Sequence, residues 1–160
     1  MSDITFLLDG HKINLRVGAV VRRGAEIVVC RNLSENWWYL PGGRLKTGED
    51  SLAGLTRELN EELGSTFEIQ RPIVCGENFF PLQGARFHEV CFYYEVRWTG
   101  GPFRPDGPEA YEEFKWIPVQ DVAALNLQPA FMKPYVVNPP ATLQMVVQRE
   151  PGDGKAQPQK

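Results

Sequence analysis

Leu40-Pro41-Gly42-Gly43-Arg44-Leu45-Lys46-Thr47-Gly48-Glu49 runs directly into Asp50-Ser51-Leu52-Ala53-Gly54-Leu55-Thr56-Arg57-Glu58-Leu59-Asn60-Glu61-Glu62-Leu63-Gly64. Leu52, Leu55, Leu59 and Leu63 recur at helical spacing, and Gly64 stands where a helix C-terminus puts its glycine, so the spacing predicts a helix over 48–64. At ~100° per residue, Glu61 lies ~60° to one side of Glu58 and Glu62 ~40° to the other, so three carboxylates share a face. Like charges at these spacings each cost roughly a few tenths of a kcal/mol, and Arg57 offsets only part of that. Taken alone, such a helix reads most plainly as a solvated acidic face. The loop before it changes the reading, because its three glycines let the backbone pass close to a ligand and turn into the helix. Carboxylate oxygens on a rigid element suit Mg²⁺ or Mn²⁺, which prefer oxygen ligands.

Outward from this segment the pattern is strand-like. Ile4–Leu8, a turn at Asp9-Gly10, Lys12–Val21 and Ile27–Cys30 alternate and are rich in β-branched residues. Phe67–Phe80 and Phe87–Trp98 continue the strands, the second placing His88, Val90, Phe92, Tyr94 and Val96 on one face. Thr99–Glu109 reads as a loop, Glu113–Pro118 as a short strand, Val119–Leu125 as a short helix and Leu143–Val147 as a last strand. Prolines at 129, 134, 139 and 140 limit any helix around Phe131–Val137. Strands mixed with two or three helices give an α+β class, with one domain over 1–148 and a mobile C-terminal tail over 149–160.

Composition narrows the functions. The 160 residues are 42% hydrophobic and 11% aromatic, enough for one packed core. A net charge of -3 argues against a duplex nucleic acid partner. No run approaches a membrane span and the first nine residues do not form a secretory leader, so a cytoplasmic location is expected. Cys30, Cys75 and Cys91 are odd in number and far apart, which reads as buried free thiols rather than disulfides or a metal pair.

Gly43, five residues, Glu49, seven residues and Arg57-Glu58-Leu59-Asn60-Glu61-Glu62-Leu63-Gly64 resemble the Nudix box of the Nudix hydrolase family, G-x5-E-x7-R-E-U-x-E-E-x-G-U. The last position departs, since Ser65 stands where the family has an aliphatic residue; packing is affected there, not chemistry. Trp38-Tyr39-Leu40-Pro41-Gly42-Gly43 is similar to the family's lead-in, and Glu112-Glu113-Phe114-Lys115-Trp116-Ile117-Pro118 to its later acidic strand. Glu77-Asn78-Phe79-Phe80 and Phe87-His88-Glu89-Val90 resemble a subgroup of small members with diverse substrates.

The resemblance implies a Nudix fold, a mixed β-sheet between α-helices, and metal-dependent hydrolysis of a nucleoside diphosphate linked to another group X. It implies Glu58 and Glu62 as metal ligands, with Glu61 and the Gly43 carbonyl as further ones, and Mg²⁺ or Mn²⁺ as cofactor. Arg57 matches the residue that orients an acidic side chain, and Glu49 its partner. For the general base the candidates are Glu61, Glu112 and Glu113, the later strand being preferred because Glu61 sits among the ligands. Trp37 and Phe79 are candidates to stack on a base, and Arg16 and Arg44 to reach phosphates. His88 reads as structural. The substrate is either an oxidised or ordinary nucleoside triphosphate or an ADP-ribose-like or nucleotide-sugar conjugate. A homodimer is one candidate assembly, and a catalytically silent nucleotide-binding module is the alternative function, against which the intact acidic residues speak.

Overall fold

The computed structural model describes residues 1–64 and 66–151. Its first hairpin joins β1 (Thr5–Leu8) to β2 (His11–Arg23) through Asp9 and Gly10, both at positive φ, 49° and 76°. This pair of left-handed residues gives the turn whose twist matches two antiparallel strands. The same device, Gln83 at 51° and Gly84 at 80°, joins β5 (Thr66–Leu82) to β6 (Ala85–Gly100). The expected strands at 67–80 and 87–98 therefore reach further, meeting at a two-residue turn.

One long strand organises the sheet. β2 pairs in parallel with β6 along one edge, and shares its other edge among β1, β4 (Gly42–Arg44) and β3 (Glu26–Asn32). β2 meets β3 only at Arg22–Ile27 and Arg23–Glu26, so the two strands diverge and β4 enters the gap. β7 (Glu112–Pro118) extends the sheet beyond β3, and β8 (Gln144–Arg149) runs parallel to β5 at the far edge. The order is β7-β3-β2-β6-β5-β8, a mixed sheet as the sequence implied.

Helix α1 spans Ser51–Leu63, three residues shorter at its start than the expected 48–64. Gly48 has φ 86°, which belongs to a turn, and Asp50 caps the helix by accepting the Ala53 N–H at 2.8 Å. Gly64 ends it in the left-handed conformation, φ 57°. Leu55, Leu59 and Leu63 are fully buried against Val17, Ala19, Val21, Val28 and Val96, each contributing about 1.5–3 kcal/mol of apolar burial. Leu52, expected in the same stripe, is 51% exposed: it sits in the first turn, where its side chain points back past the helix start.

The opposite face is covered by short pieces. A 3₁₀ turn at Val119–Ala123, another at Ala130–Met132 and the five-residue α2 (Lys133–Val137) bury Val122, Met132 and Val136 against Val20, Val29, Ile73 and Tyr93. The sheet is thus sandwiched, though one layer is fragmentary because prolines recur through it. All three cysteines are buried and free. No helix among the described residues is long and apolar enough to cross a membrane.

Strand β8 carries the ordered chain past the expected domain limit at 148. Arg149 lies within the strand with its guanidinium 3.7 Å from the Phe79 ring centre, and the Glu150 N–H donates to the Phe79 carbonyl at 2.9 Å. The long β5 supplies backbone partners that hydropathy does not reveal. The tail expectation for 152–160, and the departure at Ser65, fall outside the described residues.

Candidate active site

Arg57 organises the acidic helix. Its Nε and Nη2 donate to the two oxygens of Glu49 at 2.6 and 2.9 Å, its Nη1 donates to Glu58 Oε1 at 2.7 Å, and its Nη2 also reaches the Arg44 carbonyl at 3.1 Å. A planar fork with several donors can hold two carboxylates and a loop at once. Glu49 also accepts the Lys46 N–H at 2.9 Å. The bonds from Arg57 first, and from Lys46 next, pull the Glu49 carboxyl down to about 2, and the Glu49 bond pushes Arg57 up in turn.

Two glycines receive the next carboxylates. A Cβ at Gly43 would lie 2.4 Å from the Glu58 carboxyl carbon, so only glycine leaves room for that carboxylate over the backbone. Gly42, at φ 142°, donates its N–H to Glu62 Oε2 at 2.9 Å, and a Cβ there would meet the Val17 carbonyl at 2.2 Å. Glu62 is 8% exposed; burial, and then the charge of Glu58, push its carboxyl well above the ordinary range. Glu61 stands apart, its side chain 53% exposed and 3.6 Å from Arg57. The shared face seen in projection thus resolves into two carboxylates turned to the loop and a third turned to water. Among the described residues no three His, Cys, Asp or Glu groups already converge as a metal cage. The donor set still fits a hard divalent cation: it offers only oxygens, and Glu58 and Glu62 crowd like charge at glycines with no side chain to fill the space.

Glu62 opens onto a cavity of about 620 Å³, within the usual range for a small-molecule site. Arg16, Trp37 and Arg44, three of the four residues expected to contact a substrate, line it, and so does Glu112, a candidate base. Arg16 and Arg44 are direct partners across β2 and β4 and both line the cavity; the Arg16 guanidinium lies 3.7 Å from Glu89 and that of Arg44 3.6 Å from Asp3. Burial works against the charge of Arg16, but the carboxylates around it, Glu89 foremost and Glu58 among them, leave its pKa raised. Arg44 Nε is buried without a partner among the described residues.

Neighbouring residues on β7 separate cleanly. Glu113 is bound by Arg31 Nε at 2.7 Å, while Glu112 faces the cavity with Oε2 buried and without a partner among the described residues. Burial, with the charges of Glu109 and Glu58, raises the Glu112 carboxyl. Phe79 departs from expectation. It packs on the other face of the sheet, stacked on His88 with ring centres 4.1 Å apart, while its neighbours Asn78 and Phe80 line the cavity. Strand alternation requires this, since a one-residue error in register exchanges the faces. His88 is accordingly structural. Asn14, Asn78 and Glu89 also line the cavity and were not named as site residues from sequence; for Asn78 and Glu89 the signal was the alternation of the two motifs, readable only once the hairpin register is known.

The model of the NUDIX domain matches residues 12–137. The RNA pyrophosphohydrolase of Ruthia magnifica subsp. Calyptogena magnifica is 35% identical over 63 residues, 39% of this chain and 35% of that protein. The 8-oxo-dGTP diphosphatase of Escherichia coli is 27% identical over 123 residues, 74% of this chain and 90% of that one. A MutT protein from Bacillus halodurans shares the fold with a TM-score of 0.68 at 16% identity, covering 85% of this chain and 90% of that one. The chain spans 35% and 38% of the first two curated relatives it matches. Because the matched span runs from β2 to α2, with the loop and helix of Glu58 and Glu62 inside it, the chain belongs to the NUDIX domain family.

Proposed function

We propose that this chain hydrolyses the pyrophosphate bond of a nucleoside diphosphate linked to a further group, with Mg²⁺ or Mn²⁺ held by Glu58 and Glu62, the Gly43 carbonyl and Glu61 completing the oxygen donors. The observation that carries the reading is that one cavity is lined by the Glu62 carboxylate, two arginines and Glu112, whose Oε2 has no partner among the described residues. When bound, the cation neutralises pyrophosphate charge and makes water a better nucleophile.

The chain's own residues supply the rest. Arg57, anchored by Glu49, positions Glu58 over Gly43. Arg16 and Arg44 hold phosphate oxygens, and Trp37 offers a ring to the nucleoside. Glu112 accepts the proton of the attacking water at its free oxygen, a task for which a raised carboxyl is better suited than an ordinary one. Glu113 is tied to Arg31 and takes no part. Buried free thiols accord with a cytoplasmic site of action. Exposed Met145 and Val147 on the outer strand β8 accord with pairing of two copies.

The test is turnover, with Mg²⁺, of nucleoside triphosphates, nucleotide sugars, dinucleotides and ADP-ribose, the products separated by chromatography. A nucleoside monophosphate with pyrophosphate marks a triphosphate substrate; a nucleoside monophosphate with a sugar phosphate marks a conjugate. Tight binding without turnover of any of them would overturn hydrolysis in favour of a binding module.

A further inference from the structure

The hairpin β5–β6 carries Glu77-Asn78-Phe79-Phe80 on one strand and Phe87-His88-Glu89-Val90 on the other. The chemistry proposed above uses none of these residues. Their register pairs Asn78 with Glu89, Phe79 with His88 and Phe80 with Phe87. Asn78, Phe80, Phe87 and Glu89 line the cavity, whereas Phe79 and His88 stack on the opposite face. In the neighbouring β2, Asn14 lies directly beside Glu89. Gly18, whose strand partner is Gly42, is four residues from Asn14, about 13 Å along the strand. A nucleoside attached to a pyrophosphate at the acidic end would extend toward this hairpin.

Glu89 is held in place yet not used up. Its Oε2 accepts from Asn14 Nδ2 at 2.6 Å and lies 3.7 Å from Arg16 Nη1. Asn14 is itself 1% exposed and accepts from Thr5 Oγ1 at 2.7 Å. Among the described residues Glu89 Oε1 has no hydrogen-bond partner. Asn78 Oδ1 accepts from Gln148 Nε2 at 3.5 Å, and the Asn78 side-chain N–H groups have no acceptor among the described residues. The cavity floor therefore presents a fixed acceptor beside an available donor. Next to them the Phe80 and Phe87 rings stack with centres 5.0 Å apart and 9° between planes, an apolar flank for a flat ligand.

A carboxylate only accepts, and a side-chain amide N–H only donates. An edge with an N–H next to a carbonyl satisfies both, and a second adjacent N–H adds a further bond to the carboxylate. Guanine has that order, with O6, N1–H and the 2-amino group in sequence. Adenine and cytosine set a ring nitrogen lone pair beside their amino group, which would face the carboxylate, and uracil has a single N–H. We propose that Glu89, assisted by Asn78, reads the N1–H and 2-amino edge of a guanine base and selects guanosine nucleotides. This rests on the hydrolase reading above for where the pyrophosphate lies.

The test compares guanosine, inosine and adenosine triphosphates as substrates of the wild type and of Glu89→Gln, with Mg²⁺. Calorimetric binding of the α,β-methylene analogues of guanosine and adenosine triphosphate runs alongside. Inosine lacks only the 2-amino group. The wild type should favour guanosine over both others by ~10- to 100-fold in kcat/KM, the usual reach of a bidentate base contact. Glu89→Gln keeps an acceptor for Asn14 but turns an amide toward the base, so guanosine should lose more than adenosine and the ratios should fall toward unity. A wild type without guanosine preference in turnover and in analogue binding overturns the inference even if the variant fails to fold. An equal loss for every base in Glu89→Gln also overturns it, assigning Glu89 to supporting Asn14 and Arg16. So does discrimination that follows removal of a sugar hydroxyl instead of a change of base. Selective guanosine binding without turnover of any nucleotide would remove the hydrolase and leave the base reading standing, whereas turnover without preference removes only the latter.

Discussion

The two ends of the cavity hold their polar groups in different ways. At the acidic end, Glu58 and Glu62 lie one turn apart on α1 and are placed by helix geometry, with Arg57 adjacent to Glu58 and the Gly42 N–H 20 residues from Glu62. At the hairpin end, Asn14 and Glu89 are 75 residues apart and meet through the parallel pairing of β2 with β6. A helix sets the relation of its side chains by local spacing, whereas a sheet sets it by register, which is a property of the whole assembly. The acidic end is suited to chemistry common to many substrates, and the hairpin end to choosing among them.

The sharpest way to break this division is to disable the acidic end. Glu58→Gln or Glu62→Gln keeps the side-chain shape but removes charge that would hold a cation, and should lower kcat by ~10³-fold or more. Excess chelator should do the same to the wild type, while circular dichroism stays unchanged. Full activity under any of these conditions would end the metal reading.

A smaller effect separates the adjacent glutamates of β7. Glu112→Gln should lower kcat by ~10²-fold, at the low end for a general base because the water is also activated by the cation. Burial raises Glu112, so the wild-type rate should climb with pH through a limb above the ordinary carboxylate range, and the variant should lose that limb. Glu113→Gln should stay near wild type because its carboxylate serves only Arg31. A pH–rate series on both decides it; loss in Glu61→Gln with a normal Glu112→Gln would move the base to the helix.

The smallest effect concerns stability. Glu49 titrates at about 2 in the fold, held down by Arg57, and at ~4.3 in an unfolded chain. Its contribution is therefore complete above the unfolded value and fades as pH falls through the folded one. Glu49→Gln should lower Tm by a few degrees near neutrality, and the gap from wild type should close between about pH 4.5 and pH 2. A gap independent of pH would show that the pair is not what Glu49 contributes.

Particular residues show why some of this was legible beforehand. Asp9-Gly10 announced a turn because few residue pairs accept positive φ, and Gly64 announced a helix end for the same reason. Glu112 and Glu113 could not be told apart, because alternation says that neighbours face opposite sides but not which side holds the cavity. Phe79 was assigned to the cavity on that uncertainty, and Phe80 occupies it.

Local order in the chain determined the helix and its glycine end, because both follow from spacing and steric limits within one segment, while the Arg57–Glu49 pairing was implied by the family resemblance and joins residues only eight apart. Only the tertiary structure decided that β2 and β3 diverge to admit β4, that Glu61 turns to water, and that Asn14, Asn78 and Glu89 meet on one floor. Those outcomes depend on which strand edges pair and in what register, and such pairings are chosen by burial of the whole sheet between its two layers, not by any one segment.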